Sequence, residues 1–388
     1  MDATTVSRVA PESFEDAAAA LAAATAERST VRIVGAGTKL GWGRHGPAPD
    51  LELHTTGLDQ ILEHNAGDLT ASLQAGVPLA RAQRTFAAAG QMLALDPPLG
   101  GWGSDSAPPP TIGGVVATGD CGPLRHRYGT PRDLVVGVTI ALSDGTIARA
   151  GGKVIKNVAG YDLAKLFSGS FGTLGLILAV NVRLHPLHVT SVTALGAAAD
   201  PGRLVAAASA LTAAPLEFEA LDVAWHAGRG GLLARCAGPQ APRRARRAAR
   251  LMEQLGLARV GIADRDGQVW ERQRAGQRSA DKALVRIAAA PSALVAVIAA
   301  TEAADGTLVG RAALGQSFVE VEPAAVPQLR QRLPAGCAAV LADAPPSLRA
   351  QADPWGLPDG PALELMRRVK ARFDPAGTCN PGLFVGGI

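Results

Sequence analysis

Glycine is bunched in this chain, and the bunching stops partway along it. Four glycine-dense tracts fall in the first half: VRIVGAGTKLGWGR (31–44), TIGGVVATGDCG (111–122), GGKVIKNVAGYD (151–162) and GSFGTLGLI (169–177). Each adjoins a strand-like or helical run. One such loop is an ordinary turn. Several together point to backbone N–H groups that must come close to a ligand, where a side chain would block the approach. A pyrophosphate-linked dinucleotide suits that demand, because N–H groups can meet its phosphates and small residues admit its flat rings. The competing reading is a glycine-rich sequence with unremarkable turns.

The first tract matches neither of two familiar phosphate loops. The G-x-G-x-x-G fingerprint needs glycine where Leu40 stands, and Gly41 comes one residue late. The following WGRHGPAPD reads as a loop and not as the crossover helix of a βαβ unit. The order Gly37, Thr38, Lys39 likewise fails G-x-x-x-x-G-K-[ST].

A chain of 388 residues suits two or three domains with sizeable cores. A formal net charge of +4 makes no case for nucleic-acid binding. The run RRARRAAR (243–250) reads as a solvated helix face. The cysteines Cys121, Cys236, Cys337 and Cys379 form no C-x-x-C pair, so zinc, iron–sulfur and disulfide frameworks are not expected. The N-terminus lacks a signal pattern, and the apolar window IAAAPSALVAVIAAT (287–301) contains Pro291 and is too short to span a bilayer. A soluble protein of a reducing compartment is expected, cytoplasmic and without direct membrane insertion.

Along the chain, SFEDAAAALAAATAER reads as a helix capped by Ser13, leading into the strand VRIV. DLTASLQAG is a second β segment, and PLARAQRTFAAAG is a helix opened by Pro78 and closed by Gly90. LVVGVTIALSDGTIARAGG reads as a hairpin turning at Asp144 and Gly145. Beyond His185 and Pro186, strands (VTSVTAL, EFEALDVAW, LLARCA) alternate with Ala/Arg-rich helices. The tract 343–361 reads as a linker before a last helix, ALELMRRVKARF, and the tail DPAGTCNPGLF.

The order of these segments resembles the FAD-binding domain of the vanillyl-alcohol oxidase type, also called the PCMH type. VRIVGAGTKLGWG is similar to its first phosphate loop, and DPP…TIGG…GPLRHRYGTPRDLVVGV to its second. GYDLAKLFSGSFGTLGLILAVNVRLHP is similar to the segment closing around the adenosine end. More narrowly, GGKVIKNVAGYDLAKLFSGSFGTLG and VWERQR (269–274) resemble the FAD-binding subunits of glycolate oxidase. The resemblance implies an α+β fold: a PCMH-type FAD-binding domain of two α+β subdomains (9–187), then a second α+β domain for substrate or partner (188–343). A linker, helix and flavin-proximal tail (344–388) would return to the first domain.

Carried over by position, Gly35, Ala36, Gly37, Thr38, Lys39 and Leu40 would donate backbone N–H groups to the pyrophosphate. Pro97, Thr111, Ile112, Gly113, Gly114, Thr118 and Gly122 would line the phosphate and ring side. Gly175 and Ile177 would pair with the adenine edge, and Asn380 would approach the isoalloxazine. Lys153, Lys156 and Asn157 are candidates to face the flavin, where a cation would stabilise its reduced anionic form; a solvated strand edge is the alternative. Tyr161 and Asp162 read as a packed pair. Some relatives attach FAD through a His or Cys, but His45 and Cys121 do not match those patterns, so FAD is expected to bind noncovalently. The histidine-rich metal segment of hydroxyacid-oxidising relatives has no counterpart, so no metal is expected.

Oxidising a 2-hydroxyacid needs a base for the hydroxyl proton and a cation for the carboxylate. No residue stands out as the base. The resemblance therefore implies a subunit that holds FAD beside a homologous FAD-binding catalytic subunit and an iron–sulfur subunit. Any place at the membrane would come through these partners. An autonomous FAD-dependent 2-hydroxyacid dehydrogenase and a non-redox assembly subunit are the rival readings.

Overall fold

Helix Phe14–Ala26 starts where its cap dictates, with the Ser13 hydroxyl accepting from the Asp16 amide at 3.0 Å. In the computed structural model, which describes residues 6–44, 46, 48–99, 109–152, 162–357 and 360–388, this helix covers a three-stranded parallel sheet. Its strands run in the order Ser7–Val9, Leu51–His54, Val31–Val34. A five-stranded antiparallel sheet lies beside it, ordered Ile61–Asn65, Thr70–Gln74, Leu176–Arg183, Val135–Ala141, Ile147–Gly151. The last two strands form the expected hairpin, with Gly145 at φ +85° in its turn. Apolar residues of this sheet pack with Phe86, Ile112 and Phe167 in one core.

The later part of the chain builds an eight-stranded antiparallel sheet from Ser191–Ala198 through Ala338–Asp343. Four helices, Pro201–Ala213, Ala241–Gln254, Leu294–Ala303 and Val326–Arg332, contribute to the core on one of its faces. That core takes Leu221, Val223 and Trp225 from strand Ala220–His226. Side chains alternate across a strand, so Asp222 belongs to the opposite face. Pairing register places Arg311 opposite both Asp222 and Gln316, and Phe318 opposite Arg286, on that same face. This face turns toward the first half of the chain, and a separate apolar cluster joins the two: Leu284, Val309 and Phe318 with Trp42, Phe171, Val385 and Ile388.

The tail closes the circuit. The amide of Val31 donates to Thr378 O, and that of Asn380 to Val31 O, each at 2.8 Å. Cys379 thus bridges Val31 in parallel, beside the first sheet. The tract expected as a linker is more than that. It contains the helix Pro346–Gln351 and buries Trp355, whose ring meets Phe171 at 5.1 Å and Phe384 at 4.8 Å edge to face. Proline, glycine and aspartate dominate its composition, and one aromatic ring anchors it.

Trp355→Ala should therefore destabilise the chain by about 3–5 kcal/mol, as expected for emptying a buried aromatic site. Denaturant unfolding checks the loss, and limited proteolysis should show faster cleavage near the tail.

Candidate functional site

A cavity of about 230 Å³ opens where the first glycine loop, helix Ile112–Thr118, the turn before strand Leu176–Arg183 and the C-terminal tail converge. Of the positions anticipated above, Gly35, Ala36, Gly37, Thr38, Lys39, Leu40, Thr111, Gly113, Gly114, Thr118, Gly175, Ile177 and Asn380 line it. Three do not. Ile112 is 1% exposed and sends its side chain into the apolar core, Gly122 packs against Asp96, and Pro97 is not part of the lining. Lys153, Lys156, Asn157, Tyr161 and His45 lie outside the described residues, while Asp162 pairs with Lys165 at 3.0 Å.

The chemistry of the cavity wall follows from its backbone. The amides of Ala36, Gly37, Thr38 and Lys39 donate to no described residue, whereas that of Leu40 turns back to Gly37 O at 3.4 Å. Unpaired N–H groups in sequence beside a cavity form a concave donor surface for an anion. A Cβ at Gly35 would lie 2.3 Å from the Thr111 hydroxyl, and one at Gly175, where φ is +143°, would lie 2.7 Å from Ala141 O. These glycines therefore let separate segments close on the same space. Thr111 caps helix Ile112–Thr118, accepting from Gly114 N at 3.3 Å. The Thr118 hydroxyl donates to Gly114 O at 2.7 Å, within its own helix.

Two of these lining residues also tie chain segments together through their side chains. The Lys39 ammonium pairs with Asp120 at 3.1 Å, both side chains 6% exposed, so it ties the first glycine loop to the second. The Asn380 amide is engaged at both ends, its oxygen accepting from Ile33 N at 2.8 Å and its nitrogen donating to Phe171 O at 2.6 Å. It lines the cavity as a strut between chain segments.

Sequence reasoning missed the charged seam between the glycine loops and the larger sheet. Asp343 accepts from Trp42 Nε1 at 2.9 Å and from Arg278 Nε at 2.8 Å, and Arg278 also reaches Thr38 O at 3.1 Å. Arg311, 1% exposed, pairs with Asp222 at 2.9 Å and donates to Gly122 O at 3.3 Å. Burial pushes the Asp222 carboxyl up to about 6, and Asp96, 3.8 Å from Arg274, up to about 7. Burial also raises the Cys121 thiol, so this cysteine is held protonated and unreactive. Only the VWERQR motif, a few residues before Arg278, hinted at this region. Among the described residues no group of three His, Cys, Asp or Glu side chains could hold a metal.

Residues 7–151 match the FAD binding domain family. Over 187 residues the chain is 35% identical to glycolate oxidase subunit GlcD of Bacillus subtilis, covering 48% of this chain and 38% of that protein. Over 165 residues it is 34% identical to glycolate oxidase subunit GlcE of Escherichia coli, covering 42% and 44%. The chain thus spans about two-fifths of the length of these relatives. An uncharacterized FAD-linked oxidoreductase of Mycobacterium tuberculosis is 27% identical over 97% of this chain and 90% of its own. A solved structure of alkyldihydroxyacetonephosphate synthase shares the fold, with a TM-score of 0.67 at 14% identity over 96% of this chain and 75% of that one. The cofactor is FAD, and the unpaired amides and glycine approaches of the cavity fit its pyrophosphate.

Gly35→Val should weaken FAD binding by about 100-fold or more, roughly 2.7 kcal/mol, as read by flavin fluorescence titration, because the new side chain drives Thr111 from the wall. Asp96→Asn tests the buried carboxyl. Its folded pKa, about 7, lies above the unfolded value, so wild-type stability should fall as pH rises through the interval between them. The neutral variant, keeping the acceptor for the Leu124 amide at 3.0 Å, should lose that fall and gain on the order of a few kcal/mol at pH above 7. Denaturation midpoints across pH measure it.

Proposed function

We propose that this chain, whose residues 7–151 form an FAD binding domain, is the FAD-binding subunit of a complex that oxidises glycolate or a similar small 2-hydroxyacid to the 2-oxoacid. Bound FAD supplies a two-electron acceptor for the hydride leaving the hydroxyl-bearing carbon. The observation that supports this reading is the run of unpaired amides at Ala36–Lys39 beside the cavity, a donor surface that suits a pyrophosphate. Gly35 to Lys39 would bind it, Thr111, Gly113, Gly114 and Thr118 would flank it, and Gly175 and Ile177 would face the adenine.

The role within a complex is supported by how the seam carboxylates are engaged. Asp120 pairs with Lys39, Asp222 with Arg311 and Asp343 with Arg278. Each carboxylate is turned onto a cation of the seam, which leaves it poorly placed to reach a substrate hydroxyl. Lys153, Lys156 and Asn157 stay candidates for the flavin-facing role. A homologous FAD-binding catalytic subunit would then perform the proton abstraction, and an iron–sulfur subunit would carry electrons onward. FAD is held noncovalently, with no metal. The chain works in the cytoplasm and reaches a membrane only through its partners; among the described residues no helix is long and apolar enough to cross one.

One observation favours a second reading, in which the chain oxidises the acid unaided. Arg286 stands on the sheet face turned toward Asp120 and Cys121, and its guanidinium has no hydrogen-bond or ion-pair partner among the described residues. Burial and Arg125 work against its charge and Asp120 favours it. A guanidinium without a hydrogen-bond or ion-pair partner is suited to a substrate carboxylate.

A visible spectrum of the purified chain separates these readings. With glycolate or D-lactate added anaerobically, the flavin spectrum should persist for the chain alone and bleach once partner subunits are added. Bleaching by the lone chain would overturn the subunit reading; Arg286→Met should then raise the substrate concentration for half-maximal bleaching rate by about 100-fold, as loss of a charge-assisted contact implies. A chain that cannot be reconstituted with FAD would leave only an assembly role.

A further inference from the structure

The last helix does more than lead the tail back to the first sheet. We propose that Lys370 is the positioning residue that assembles the tail-side wall of the cofactor cavity, without itself touching the cofactor; the inference rests on the reading that this cavity holds FAD. Lys370 lies in the last turn of helix Pro361–Phe373, with its side chain 12% exposed. Its ammonium donates to Thr173 O at 2.7 Å and to Cys379 O at 2.8 Å, and pairs with Asp374 at 2.5 Å. Three N–H donors thus meet acceptors on three stretches of chain.

Asp374 extends the unit. Its carboxylate, 0% exposed, accepts from Thr378 N at 3.1 Å and Cys379 N at 2.8 Å. The segment just before Asn380 is therefore fixed from both its amide and its carbonyl sides. Asn380 adopts φ +43°, a left-handed backbone conformation that a free tail would seldom hold. From there its amide spans Ile33 N and Phe171 O. Ile33, Phe171 and Asn380 all line the cavity; Lys370 and Asp374 do not.

An exposed i,i+4 Lys–Asp pair would only support its own helix, and weakly. This one is turned inward onto two carbonyls from outside the helix, 197 and 9 residues away. Removing the ammonium leaves Asp374 and both carbonyls without their cation. Arginine keeps the charge, but its planar fork cannot direct three donors tetrahedrally.

The test compares Lys370→Met and Lys370→Arg with Leu211→Ala, a core variant in the helix-covered face of the larger sheet. Each full-length chain is assayed for its apo thermal midpoint, for FAD affinity by titration, and for amide hydrogen exchange in the tail of the apo protein. Both Lys370 variants should bind FAD at least about tenfold more weakly and lose exchange protection at 378–383. Leu211→Ala, with an equal or larger drop in midpoint, should change neither. Retained FAD affinity and tail protection in both Lys370 variants, or losses merely matching those of Leu211→Ala at equal midpoint, would overturn the proposal. If wild type itself bound no FAD, the cofactor reading would fail. Tail protection in the apo chains would still decide whether Lys370 sets the wall.

Discussion

One buried carboxylate holds the first glycine loop to the rest of the molecule. Asp343, at the end of the last strand of the larger sheet and 7% exposed, accepts hydrogen bonds from the Trp42 indole, the Arg278 guanidinium and the Ser279 amide. Arg278 lies over the Trp42 ring at 5.5 Å and reaches Thr38 O. A glycine-rich loop pays heavily in backbone entropy to hold one shape. This loop holds its shape because a cation and a carboxylate from distant parts of the chain, with the loop's own Trp42 indole, grip it from behind, leaving its amides free on the cavity side.

The seam shows how such a grip is built at low dielectric. Burying Asp222 and Arg311 together is costly, and the pair is tolerable because geometry is close and further hydrogen bonds join it: Gln273 donates to Asp222 at 3.1 Å, and Gly122 O accepts from Arg311 at 3.3 Å. What such a pair gives is register. It fixes which strand of the sheet faces which glycine loop. Lys39 and Asp120 do the same between the two loops, so the cavity is bounded by segments that cannot slide independently.

The glycine loops were readable in the sequence because what they require is local. A backbone that must approach a neighbour or a ligand excludes side chains, and the excluded side chains leave a visible pattern. The Ser13 cap and the Asp144–Gly145 turn were readable for the same reason. Ile112 stands inside a TIGG run, yet its side chain belongs to the core. Trp355 was hidden in a tract whose composition looks like a linker. The seam could not have been read. Arg278 meets Thr38 across 240 residues and Asp343 across 65, and nothing near any of them in the sequence marks a partner. Asn380 lies in the cavity wall, and only the structure shows its amide occupied on both sides.

The claim on which everything here depends is that the first glycine loop, helix Ile112–Thr118 and the C-terminal tail close on one FAD molecule. Hydrogen–deuterium exchange of the chain with and without FAD tests it directly. FAD should slow exchange at 36–39, where the amides have no protein partner, and at 111–118 and 378–383, with the outer strands of the larger sheet unchanged. Protection confined to other segments, or none at 36–39 under saturating FAD, would contradict it.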